Sequence, residues 1–178
     1  MKYKAGISNE LERWYAVLPI DCPKNNTTKL ILLLKLLPEF RSVIYFRCRT
    51  SNYNPLRLFY PPMSNLFIPT SSKIGSGLII QHGFSSILNC EEMGDNCQVW
   101  QNVTIGKSKS GRFEPRPKIG CNVKITAHAV VIGDITIGDN AIIGAGAVVT
   151  KSVPANATVV GNPAKIIRLN GQRVDIAL

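Results

Sequence analysis

Histidine is nearly absent from this chain of 178 residues: His82 and His128 are the whole complement. Two imidazoles cannot build a three-histidine zinc site, so no metal is expected. Acidic residues are scarce as well, 11 against 21 Lys and Arg, leaving a formal charge of +10. A basic surface suits nucleic acid, an anionic membrane face or a phosphorylated small molecule. No nucleic-acid-binding motif accompanies the charge, so no nucleic acid is expected as a partner. Long apolar runs are missing. The longest, Leu30–Leu37, has eight residues and contains Lys35, too short to cross a bilayer. Cys22, Cys48, Cys90, Cys97 and Cys121 are odd in number and form no CxxC pair. With no signal-peptide pattern, they point to free thiols in a reducing, cytoplasmic setting.

What is present is a period of six. Ile119, Ile125, Val131, Ile137, Ile143 and Val149 stand six apart, and four residues after each come Val123, Ala129, Ile135, Ala141, Ala147 and Val153. Gly120, Asn122, Gly138, Asn140, Gly144 and Gly146 supply turn formers between the two columns. Six matches neither a lone helix nor a two-residue strand alternation. It matches a β-solenoid in which each hexad is one short strand and one corner. Three hexads close a triangular coil, side chains 18 residues apart stack, and the columns fill the prism. The pattern begins earlier, at Ile68, Ile74 and Ile80, with Ser72, Leu78 and Phe84 in the second column. It slips by one residue and resumes at Ile87, Met93, Val99 and Ile105, with Cys97 and Val103 inward. Ile105 and Ile119 are 14 apart where one hexad needs six, so a loop within Lys107–Lys118 leaves the prism. That loop holds Lys107, Lys109, Arg112, Arg116 and Lys118 against Glu114, and insertions at solenoid corners commonly carry binding function.

The expected organisation is an all-β solenoid with a small α-helical appendage: a helical region and connector over 1–66, the solenoid of about five coils over 67–166 with its loop at 107–118, and a tail over 167–178. In the first region the pattern predicts helices over 8–18, 29–37 and 39–49, with Ser8 capping the first, Thr27 or Thr28 the second, and Pro38 at a kink or helix start. Lys24 to Arg57 carries seven basic residues and one acid. One reading is peripheral contact with anionic lipid through 24–57, at the inner face of a membrane. The preferred one is packing on the solenoid end or on a neighbouring subunit, because Leu30–Leu37 is apolar on every side except at Lys35.

Four blocks carry a resemblance: KIGSGLIIQHG at 73–83, QNVTIG at 101–106, PKIG at 117–120, and IIGAGAVVTKSVP at 142–154 with GNPAK at 161–165. From Ile68 to Arg168 the chain resembles the hexapeptide-repeat acyltransferases, and the first three blocks look like serine O-acetyltransferases and polysaccharide O-acetyltransferases. The resemblance implies a left-handed parallel β-helix, an exception to the usual right-handed crossover. It also implies acetyl-CoA as co-substrate and a homotrimer with active sites between subunits. His82 stands at the position of the catalytic histidine, as general base for a hydroxyl nucleophile. His128 is read as a corner residue. For the cofactor, the resemblance points to Gly106 near the thioester and to Ala127 and Ala145 along the pantetheine. Lys151, Lys165 and Arg168 are placed to meet the phosphates.

The sequence also departs from the serine acetyltransferase pattern. Phe67 and Gln81 stand where those enzymes carry acids, and Pro115-Arg116 where they carry Arg-His. Glu91, Glu92 and Glu114 remain as carboxylates to orient His82. The missing acids, with Gln81, Arg112 and Arg116 as substrate-binding residues, favour a saccharide hydroxyl of a glycan precursor as acceptor. The alternatives are serine, the acceptor in cysteine biosynthesis, and N-acetylation of an amino sugar.

Overall fold

A computed structural model describes residues 7–18, 22–48, 55–109 and 115–178. The chain opens with α1 (Ile7–Val17), α2 (Asn26–Leu36), α3 (Pro38–Cys48) and a single turn, α4 (Leu56–Phe59). The cap of α2 is Asn25, whose side chain accepts from the Thr27 N–H at 2.7 Å, rather than either threonine. Pro38 opens α3, where its missing N–H costs nothing. In α1 the buried positions Glu10, Leu11, Trp14 and Tyr15 form one face. The run Leu30–Leu37 is not buried all round: Leu33 is fully enclosed, but Ile31 and Leu36 are 48% and 59% exposed. α2 packs on α1 and α3, and the run, apolar except at Lys35, still keeps an open face.

Short strands then arrive in threes: β1 (Leu66–Phe67), β2 (Lys73–Ile74) and β3 (Ile79–Ile80), followed by β4 (Ser86–Leu88), β5 (Glu92–Met93) and β6 (Gln98–Val99). β7 (Thr104–Gly106), β8 (Lys118–Ile119) and β9 (Lys124–Ile125) precede β10 (Val130–Ile132), β11 (Thr136–Ile137) and β12 (Ile142–Ile143). β13 (Val148–Val149) and β14 (Ala157–Val160) complete the winding. Up to β13 every third strand pairs in parallel, giving a first sheet β1-β4-β7-β10-β13, a second β2-β5-β8-β11, and a third β3-β6-β9-β12; an isolated Ile137–Val153 bridge then takes the place of a strand, so β12 continues to β14. The interior is the stacked columns: Ile105, Val131 and Val149 on one wall, Ile119 and Ile137 on the next, Ile125 and Ile143 on the third, all buried.

Corners form where the chain can turn left-handed. Asn122, Asn140, Asn156 and Asn170 have φ of 56°, 59°, 58° and 50°, a region Asn tolerates. Their side-chain amides form a ladder, 122 to 140 to 156 to 170, at 3.2, 3.0 and 3.3 Å. The slip near residue 84 has a related cause. His82 (φ 51°) and Ser85 (φ 54°) both turn left-handed, which lengthens that corner. Ser86 and Leu88 therefore point inward, whereas Phe84 and Ile87, expected in the columns, are each 42% exposed.

Parallel winding ends at β14. β15 (Lys165–Leu169) and β16 (Gln172–Ala177) follow as an antiparallel hairpin. Ile166, counted as the last column residue, is buried but belongs to this hairpin, and the tail is strand. At the other end the helical layer is seated through side chains. Trp14 Nε1–H donates to the Leu78 carbonyl at 3.0 Å, and Arg47 donates to the carbonyls of Ile74 and Gly75. Arg47 also pairs with Glu10 at 2.8 Å. Burial pushes the Glu10 carboxyl above its usual range, and Arg47 offsets part of that.

Candidate active site

His82 occupies the corner between β3 and β4. Its φ of 51° lies where histidine is enriched over most residues, and the imidazole is exposed. Gly83 makes the turn possible, since a Cβ there would overlap Ile80 Cγ2. Beside the imidazole is a cavity of about 310 Å³ between α1, the start of α3 and β3. Trp14, Val17, Leu18, Ile79 and Ile80 give it apolar walls, and Glu39, Gln81 and His82 are its polar members. Glu91 and Glu92, expected to orient His82, lie at β5 in the second sheet and do not line this cavity. Glu114 and Arg112 fall within residues 110–114, outside the described residues. Phe67, in β1, is 58% exposed.

The corners following β3, β6, β9 and β12 stack along one edge of the prism. His128 N–H donates to Gln101 O at 3.1 Å, and Gly146 N–H to Ala127 O at 2.9 Å. His128, with φ 62°, sits 3.4 Å from Asn102 Nδ2 through its Nε2. Ala127 and Ala145 belong to this same edge and leave it with small side chains. Gly106 ends β7 at the opposite edge of the first sheet, where its carbonyl accepts from Gly133 N–H at 3.1 Å. A Cβ at 106 would meet nothing within 4 Å, so the chain's own packing does not demand glycine there. Arg116 is at that second edge too. Its Nη1 donates to Ser71 Oγ at 2.9 Å and to Asn89 Oδ1 at 3.2 Å. One chain therefore places His82, Ala127 and Ala145 on one edge, and Gly106 and Arg116 on another.

The cations assigned to the cofactor gather around the terminal hairpin. Lys165 and Arg168 line a cleft of about 400 Å³ on the terminal hairpin, together with Arg173, which the sequence did not single out. Asp175 holds Lys165 there at 3.0 Å. Lys151 does not line this cleft but ends near it: it donates to the Leu178 carbonyl at 2.9 Å, and the Leu178 N–H donates to Ala164 O at 3.2 Å, beside Lys165.

The repeat matches the bacterial transferase hexapeptide family (six repeats) over residues 116–151. The serine acetyltransferase of Neisseria gonorrhoeae, solved in complex with serine, superposes with a TM-score of 0.70 at 30% identity, over 91% of this chain and 67% of that one. The chain belongs to the hexapeptide-repeat acyltransferases. A second member of this family, the Brucella abortus serine acetyltransferase in complex with coenzyme A, superposes at 0.73 with 28% identity, over 95% of this chain and 68% of the other. In sequence, the Staphylococcus xylosus serine acetyltransferase is 42% identical over 109 residues, 60% of this chain and 50% of the relative. The Synechococcus elongatus enzyme of that name is 37% identical over 114 residues, 64% of this chain and 47% of the relative. The chain spans about half the length of these curated relatives.

These relatives overturn the expectation of a saccharide hydroxyl as acceptor and favour the serine alternative, since each carries the name serine acetyltransferase. The expectation rested on acids missing at Phe67 and Gln81. A carboxylate can reach a site from another element, and Glu39 does line the His82 cavity.

Proposed function

We propose that this hexapeptide-repeat protein transfers the acetyl group of acetyl-CoA to the hydroxyl of serine. The observation that carries the reading is its kinship with serine acetyltransferases, one of them solved with serine bound. The exposed His82 at a corner beside a cavity supplies the chemistry such a transfer needs. His82 takes the proton from the serine hydroxyl as the oxygen attacks the thioester carbonyl. The tetrahedral oxyanion collapses, the C–S bond breaks, and the imidazolium returns its proton to the leaving thiolate. The products are O-acetylserine and CoA. Backbone N–H groups near the thioester lower the cost of the oxyanion.

The open space beside Gly106 fits a thioester, and the small residues Ala127 and Ala145 fit a pantetheine chain. The cleft of Lys165, Arg168 and Arg173 fits the phosphates of CoA, through point charges and forked guanidinium groups. Arg116, with Gln81, stands on the acceptor side. Because His82 and Gly106 occupy separate edges of a single prism, we place the site between neighbouring prisms of a homotrimer, each wound left-handed in about five coils. The cytoplasm is the compartment this reading implies.

Thiol release from acetyl-CoA with serine as acceptor tests the proposal. The expected result is serine-dependent release, reduced by roughly 100-fold or more in His82→Ala and largely kept in His128→Ala, since a general base contributes about 10²–10⁴. Release no faster with serine than with buffer alone would overturn it.

A further inference from the structure

Glu39 plays no part in the mechanism above, yet it faces the same cavity as His82. It lies in the first turn of α3 and is half-buried. Among the described residues that line the cavity it is the one acid, and none is lysine or arginine. Among the described residues its carboxylate has neither a hydrogen-bond nor an ion-pair partner. A carboxylate without a partner at the rim of a cavity walled by Trp14, Leu18 and Ile79 favours a cationic neighbour. The described residues that line the cavity offer none.

We propose that Glu39 is the specificity-determining residue of the acceptor pocket: its carboxylate receives the ammonium group of the acceptor and presents the hydroxyl to His82. This rests on the serine reading and deepens it. Serine carries a cationic amine two carbons from its hydroxyl carbon's oxygen, compact enough for one end to meet Glu39 while the other meets His82 across a cavity of about 310 Å³.

The test compares wild type, Glu39→Gln and Glu39→Asp with three acceptors at saturating acetyl-CoA: serine, 3-hydroxypropionate, which lacks the amine, and ethanolamine, which lacks the carboxylate. Wild type should prefer serine to 3-hydroxypropionate. Glu39→Gln should raise the serine KM on the order of 10- to 100-fold, the loss of one charged hydrogen bond, and leave the 3-hydroxypropionate and acetyl-CoA KM values near wild type. Glu39→Asp should fall between. If Glu39 only supports the start of α3, Glu39→Gln lowers the melting temperature but leaves the preference for serine over 3-hydroxypropionate unchanged, and the inference is wrong. Should wild type ignore serine but accept ethanolamine in a Glu39-dependent way, the amine contact stands and the serine acceptor falls. Should it accept neither amine, both fall.

Discussion

His82 and His128 sit on the same edge in the same left-handed conformation, but only His82 borders the cavity. Position decides between two chemically identical side chains. The cysteines divide in a similar way. Burial pushes the Cys90 thiol up to about 11 and the Cys97 thiol up to about 12, while Cys22 and Cys48 are exposed. A thiolate is the reacting species in alkylation, so native protein at neutral pH should be labelled quickly by iodoacetamide at Cys22 and Cys48. Cys90 and Cys97 should be labelled only after denaturation. Peptide mass mapping of the two samples checks this, and modification of Cys97 in the native protein would contradict the packing described for the column.

At the scale of the element, the corners set the limits. A Cβ on Gly138 would overlap Ala155 N and lie 2.7 Å from Ala155 Cα. Both atoms are backbone and cannot swing aside. Gly138→Ala should therefore lose about 1–3 kcal/mol of stability, read as a lower urea midpoint. Gly106→Ala, which meets nothing within 4 Å, should keep the midpoint and raise the acetyl-CoA KM instead. Equal midpoints for the two variants would overturn the contrast. The strands and corners from Ile119 onward were legible in the sequence because one buried residue recurs every six. That regularity fails over residues 81–88. Ile87 and Leu88 are adjacent and equally apolar, and only the two left-handed residues before them decide which points inward. The face of α2 was hidden for a related reason, since a run of leucines carries no contrast from which to choose a side.

For the molecule as a whole, the motif that points to His82 is local in sequence, whereas the neighbourhood of Glu39 and His82 is not. Glu39 lies some forty residues from His82 in sequence, and only the folding of α3 over the prism brings the two to one cavity. The acids missing at Phe67 and Gln81 led to a saccharide acceptor, which the serine acetyltransferase relatives overturn. The division of site residues between two edges of one prism predicts that activity accompanies assembly. Light scattering coupled to the thiol-release assay should find a trimer carrying the activity, and a stable, active monomer would rule the shared site out. The two ends of the prism have a further consequence. A parallel stack has no intrinsic length: its outer strands offer unpaired backbone groups on which another copy could continue the winding. Here the Trp14 and Arg47 side chains occupy carbonyls around β2 and β3, and the antiparallel β15 closes off β14. These end pieces, rather than the repeat, make the protein a finite particle instead of a growing fibre.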